Sequence, residues 1–206
     1  MRALRQLAID GLDIHMEGPF GNSLLRNAAT QDSAAALIAL LDLGANPNHR
    51  TSYCSPVDKR SEAGFTPLMY AHTVEAVHAL IAYGANVNLA SDAGITPLMR
   101  APTEEVARLL VYNGADVEAV NPAGSSALMY AVQMDRVGVV AYLLSIGANP
   151  NIRQNCRRGK KTYTPLRLAR EGIATWSRFP SDEFAKNRLA AANRIADLLM
   201  AAGATV

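Results

Sequence analysis

The sequence predicts an all-α chain, a solenoid of stacked helix-turn-helix repeats with loop or β-hairpin fingers projecting from the stack. Composition and two recurring phrases carry that expectation. Half of the 206 residues are apolar but only 6% are aromatic. The apolar content is mostly Ala and Leu, which suits close-packed helices better than a sheet built on large cross-strand pairs. The first phrase reads Gly64-Phe-Thr-Pro-Leu-Met-Tyr-Ala71, Gly94-Ile-Thr-Pro-Leu-Met-Arg-Ala101 and Gly124-Ser-Ser-Ala-Leu-Met-Tyr-Ala131, with weaker copies opening at Gly21 and Thr162. The second follows each copy: Gly44-Ala-Asn-Pro-Asn48, Gly84-Ala-Asn-Val-Asn88, Gly114-Ala-Asp-Val-Glu118, Gly147-Ala-Asn-Pro-Asn151 and Gly203-Ala-Thr-Val206.

Each opening phrase starts a helix. Thr66, Thr96 and Thr164 stand where a hydroxyl can cap free backbone donors, and Pro67, Pro97 and Pro165 take the first helical position, where a missing N–H costs nothing. A second helix follows, for example Val74 to Tyr83 or Asp135 to Ile146, and stops at a glycine able to adopt the left-handed conformation. Asn or Asp then turns the chain out into a finger. Ala28, Ala71, Ala101 and Ala131 let the inner helices approach closely, while Leu80, Leu109, Leu110, Leu143 and Leu144 fill the seam between outer helices. One repeat buries too little to stand alone, so stability must come from its neighbours.

Together these phrases closely resemble the signature of the ankyrin-repeat family, a β-turn and two antiparallel helices per repeat. The resemblance implies a single domain over residues 1–206. Its parts are an N-terminal cap (1–18), repeat 1 (19–51), a finger insertion (52–61), repeat 2 (62–91), repeat 3 (92–121), repeat 4 (122–152), and repeat 5 (153–206) with an extended finger and an insertion near 172–190. It also implies protein binding, with no common target and no chemistry specified by the fold. Family members usually carry histidine where Met69, Met99 and Met129 stand, so packing is expected to replace that ring's hydrogen bond here.

Three departures from regularity mark candidate recognition features. Repeats 2 and 3 are three residues shorter than repeats 1 and 4 at the end of the inner helix, which predicts a notch in the concave wall. Such a notch is either a tolerated variant or a seat for a protruding element of a partner. Two fingers are enlarged, one around Tyr53 and Cys54 and one holding Cys156, Arg157, Arg158, Lys160 and Lys161. The insertion near 172–190 brings Trp176, Phe179 and Phe184, readable as a lid on the last repeat or as an aromatic anchor.

By the resemblance, positions flanking each opening glycine face the concave surface or the finger tips. Here they include Glu62, Phe65, Asp92, Ile95 and Ser125. Phe65 and Ile95 are apolar where exposure is expected, and acids flank them, which predicts an apolar centre with a charged rim. Tyr70, Arg100 and Tyr130 sit at matching inner-helix positions and extend that patch.

The charge is split. Residues 1–152 hold 9 Lys/Arg against 14 Asp/Glu, and residues 153–206 hold 11 against 4, a net of −5 followed by +7. The basic third suggests nucleic acid or an anionic surface as an alternative ligand, although the acidic remainder favours an acidic protein patch. Gly159-Lys160 lacks the earlier glycine and preceding strand of a phosphate loop. His15, His49, His72 and His78 show no metal-ligand spacing, and Cys54 and Cys156 are expected as free thiols. No enzyme, metal or cofactor is therefore expected. Met1 to Asp10 carries no apolar run of secretory length and no stretch reaches spanning length, so a cytoplasmic protein is expected, monomeric outside its complex. Its function is read as an adaptor or inhibitor of a folded protein, with an immunity-type neutraliser of a bacterial toxin or enzyme as a subclass.

Overall fold

The computed structural model describes residues 17–18, 22–52, 63–155 and 162–205. They fall into two compact units: Met1–Arg100 with Leu109–Ala115, and Ala101–Arg108 with Asp116–Val206.

The first unit opens on a two-residue antiparallel ladder, β1 (Glu17–Gly18) and β2 (Asn22–Ser23), with Glu17 opposite Ser23. Inner helix α1 (Leu24–Thr30) starts because Ser23 Oγ accepts the Arg26 N–H at 3.1 Å, and outer helix α2 (Ala34–Asp42) starts because Ser33 Oγ accepts the Ala36 N–H at 3.4 Å. The next inner element is only a 3-10 turn, Pro67–Met69, followed by outer helix α3 (Val74–Ala82) under a Thr73 cap. Inner helix α4 (Pro97–Arg100) is one turn long, and outer helix α5 spans Glu104–Tyr112, with residues 104–108 counted in the second unit and 109–112 in the first. Within this unit α1 packs on the 3-10 turn, the turn on α4, and α2 on α3.

The second unit holds α6 (Ala127–Gln133) and α7 (Val137–Ser145), then a finger ladder of β3 (Gln154–Asn155) against β4 (Thr162–Tyr163). The last pair is long. Here α8 covers Pro165–Trp176 and α9 covers Glu183–Ala201, 12 and 19 residues, so the extra chain near 172–190 is spent on lengthening both helices around a tight turn. Inner α6 packs on α8 and outer α7 on α9.

Every outer helix among the described residues ends the same way. Gly44, Gly84, Gly114, Gly147 and Gly203 all have φ between 81° and 94°. The glycine N–H bonds the carbonyl three residues back, and the following alanine's N–H bonds the leucine carbonyl five back, as in Ala45 to Leu40 at 3.0 Å and Ala148 to Leu143 at 3.0 Å. This Schellman closure explains the Gly-Ala phrase, because only glycine enters that conformation without strain. The leucines it engages, Leu40, Leu80, Leu110, Leu143 and Leu199, are all buried.

Met69, Met99 and Met129 are each 2% exposed or less, so packing does stand in for a polar ring there. One expected cap is absent. Thr66 is buried and its hydroxyl makes no hydrogen bond, because the tight turn lets Thr66's own carbonyl take the Met69 N–H at 3.0 Å. The α4 and α8 caps do form, from Thr96 to Met99 N–H at 3.4 Å and from Thr164 to Arg167 N–H at 3.3 Å.

The asparagines that follow the closing glycines tie successive repeats together. Asn48 donates to the Gly84 carbonyl at 2.9 Å while accepting the Asn86 N–H at 2.7 Å, and Asn88 donates to the Gly114 carbonyl at 2.8 Å. In the second unit Asn151 donates to the Gly203 carbonyl at 3.2 Å and accepts the Thr205 N–H at 2.7 Å.

Candidate protein-binding surface

In the first unit the residues around the opening glycines form a braced platform. Thr51 N–H bonds the Phe65 carbonyl at 2.9 Å, Gly64 N–H bonds the Thr51 carbonyl at 2.7 Å, and Asp92 N–H bonds the Ala63 carbonyl at 3.1 Å. This strand-like weave presses the Phe65 ring inward, where it meets the Tyr70 ring at 5.7 Å. The Arg100 guanidinium lies 5.5 Å from the Phe65 ring centre and that of Arg26 lies 4.4 Å from Tyr70, both within cation-π range.

The expected exposed apolar centre is thereby corrected. Phe65 is 3% exposed and Tyr70 5%, because each ring is covered by a guanidinium and by its aromatic neighbour. Ser125, expected at the surface of the second unit, is buried too, with its N–H bonded to Asn121 Oδ1 at 2.9 Å. Of the predicted patch, Asp92 is exposed and paired with Arg50 at 2.5 Å, while Ile95 and Arg100 are half-buried.

In the second unit Tyr130 is half-buried, and its hydroxyl accepts from Asn121 at 3.3 Å. Trp176 meets Phe184 edge to face at 5.8 Å, and the Arg188 guanidinium lies 5.2 Å from the Trp176 ring. Phe179 and Phe184 remain 54% and 60% exposed. Arg188 also pairs with Asp135, whose carboxyl is held above its ordinary value by burial, against the pull of Arg188. Tyr53, Glu62, Arg157, Arg158, Lys160 and Lys161 lie outside the described residues, as do Cys54 and Cys156.

Sequence reasoning missed the charged side chains at the shortened repeats. Asp32 ends the α1–α2 turn at φ 50°, and its Oδ1 accepts the backbone N–H groups of His72 at 2.6 Å and Thr73 at 3.1 Å. Its other oxygen lies 3.4 Å from His72 Nδ1. In the second unit Arg136 Nη1 donates to the Ala101 carbonyl at 2.6 Å. A full-length repeat thus reaches over to satisfy backbone groups that the missing helical turn leaves exposed. The available signal was Asp32 and Asp135, each eleven residues past an opening glycine, since Asp tolerates the left-handed conformation better than most residues.

Among the described residues no three His, Cys, Asp or Glu side chains converge as metal ligands, and no helix is long and apolar enough to cross a membrane.

Comparison with known proteins agrees with this geometry. The family model described as ankyrin repeats (3 copies) matches residues 72–154. No curated protein matches the sequence. The fold is similar to the crystal structure of the human ASB11 ankyrin repeat domain, with TM-score 0.71 and 22% identity over 99% of this chain and 79% of that one. It is also similar to an ankyrin repeat domain from Acinetobacter baumannii AYE, with TM-score 0.65 and 24% identity over 99% of this chain and 93% of that one. The chain therefore has the ankyrin-repeat fold, and its residues 72–154 carry ankyrin repeats. Ankyrin repeats generally mediate protein–protein interaction.

Proposed function

We propose that this chain is a cytoplasmic adaptor or inhibitor that grips a folded protein through its inner-helix and finger face. An immunity-type role against a toxin or enzyme is its most specific form. One observation carries the reading: in the first unit a fully packed layer of Phe65, Tyr70 and Met69 backs an irregular outer edge of Asp92, Ile95 and Arg100. Rigid backing lowers the ordering cost of binding, and a mixed apolar and charged edge supplies specificity. Phe65 and Tyr70 then act as supports, and Trp176 with Phe184 is the matching aromatic contact of the second unit.

The test is a pull-down from the native host, followed by titration of the recovered partner against the double variant Asp92→Arg/Ile95→Glu and against Trp176→Ala. Loss of at least about tenfold in affinity for the double variant, about 1.4 kcal/mol, is expected with helicity unchanged. Unchanged affinity for both variants defeats the placement.

A second reading, an anionic ligand at the basic third, is favoured by one feature. Arg153, Thr162, Thr164 and Arg167 line a cleft of about 310 Å³ at the base of the β3–β4 finger. Two guanidiniums and two hydroxyls suit a phosphate or carboxylate group. A binding constant that falls steeply with salt, and that Arg153→Ala weakens, would select this reading.

A further inference from the structure

The outer-helix side of the first unit carries a second surface that the inner-helix reading does not use. Ala34 and Ile38 of α2 face Val74, Ala79 and Ala82 of α3 across a groove of about 490 Å³, within the range of clefts that seat apolar ligand groups. Glu75 and His78 stand on its rim. At the C-terminal end Tyr83 closes it, its hydroxyl bonded to Asp42 of α2 and its own ionisation pushed up by that bond. Val74 and Tyr83 are 39% and 40% exposed.

The second unit shows why the groove is open. Counting back from the closing glycine, Ala79 occupies the place that Tyr142 takes on α7, and Ile38 the place that Arg108 takes on α5. In the second unit the Arg108 guanidinium lies 4.3 Å from the Tyr142 ring centre and fills the space at that level, held there by Glu104 at 2.6 Å. Alanine for tyrosine and isoleucine for arginine remove both the filler and the charge.

The charge on the rim selects the occupant. Neither α2 nor α3 contains a Lys or Arg, whereas Asp42 and Glu75 are both acidic. Each helix is nine residues long, or about 13 Å at a rise of 1.5 Å per residue. A guest helix of two to three turns matches that length, with apolar residues at i, i+3, i+4 and i+7 lying between the two ridges. We propose that the α2–α3 groove docks an amphipathic helix of a partner protein whose apolar row is flanked by Lys or Arg.

The test uses a displayed library of helical peptides selected on the full chain, each enriched peptide then being titrated against Ala79→Tyr, which installs the residue found at the equivalent position of α7. A second block, Val74→Lys at the exposed rim, covers the case in which Ala79→Tyr fails to fold. The expected set is enriched in peptides with the i, i+3, i+4, i+7 apolar row and basic flanks. These should bind at least tenfold more weakly to either block and about threefold more weakly to Glu75→Lys. Peptides that ignore both blocks, or that are enriched in acidic flanks, overturn the proposal. Peptides that ignore both blocks but are lost with Asp92→Arg/Ile95→Glu overturn it while leaving the inner-face reading standing.

Discussion

The Asp32 bridge offers the most direct test of how this chain accommodates a shortened repeat. Its carboxylate accepts two backbone N–H groups from the next repeat, at 2.6 and 3.1 Å, and faces His72 at 3.4 Å. A hydrogen bond to a charged group is worth about 1.5 to 3 kcal/mol. The Asp32 and His72 side chains remain 25% and 48% exposed, so water takes back part of that. Asp32→Ala is therefore expected to cost roughly 2 to 3 kcal/mol for the pair of bonds. Asp32→Asn keeps an acceptor and tolerates φ 50°, so about 1 kcal/mol is expected from the lost charge alone. Asp32→Gly loses both bonds but removes the Cβ clash of the left-handed backbone, and should be about 1 kcal/mol more stable than Asp32→Ala. Urea unfolding followed by far-UV circular dichroism reads all three. An Asp32→Ala variant within about 0.5 kcal/mol of the parent, or a glycine variant no better than the alanine one, refutes the reasoning.

Two further outcomes follow from local geometry. Gly64 and Gly84 both have positive φ, at 76° and 88°, but a Cβ at Gly64 would sit 2.8 Å from the Asp92 backbone nitrogen, whereas at Gly84 it meets nothing within 4 Å. Gly84→Ala should cost about 1 kcal/mol and Gly64→Ala about 3 kcal/mol, so equal losses by urea unfolding would show that the platform yields. Burial raises the Asp135 carboxyl above its ordinary 3.8, so the folded chain keeps that proton to higher pH than the unfolded chain. The Asp135 contribution is then fullest below the unfolded value and falls as pH rises through the folded one. Relative to Asp135→Asn, the parent should lose stability as pH rises above the ordinary carboxyl value of 3.8, and a relative gain would invert the sign.

The repeats themselves were legible because they rest on local backbone demands. A glycine is required where φ exceeds 80° after Leu40, Leu80 and Leu143, and proline is harmless at the first helical position of Pro97 and Pro165. Those requirements recur at fixed spacing, so they appear as phrases in the chain. The shortened inner elements were legible for the same reason, as missing residues between Ala71 and Val74 and between Ala101 and Glu104.

What the tertiary structure alone decided is where each side chain of the binding face points and what covers it. Phe65 and Tyr70 read as surface residues from their place in the repeat, yet guanidiniums from Arg100 and Arg26, more than thirty residues away in sequence, lie over them. Ser125 is drawn inward by Asn121, and Thr66 loses its cap to its own carbonyl once the turn tightens. Asp32 and Arg136 are recruited by backbone groups that a neighbouring repeat left unsatisfied. Sequence alone determined the number of repeats, their helical pairs and their closing turns, because each depends on a few adjacent residues. Exposure depends on which side chains the stacking brings alongside, and that is a property of the neighbour in space rather than of the neighbour in the chain.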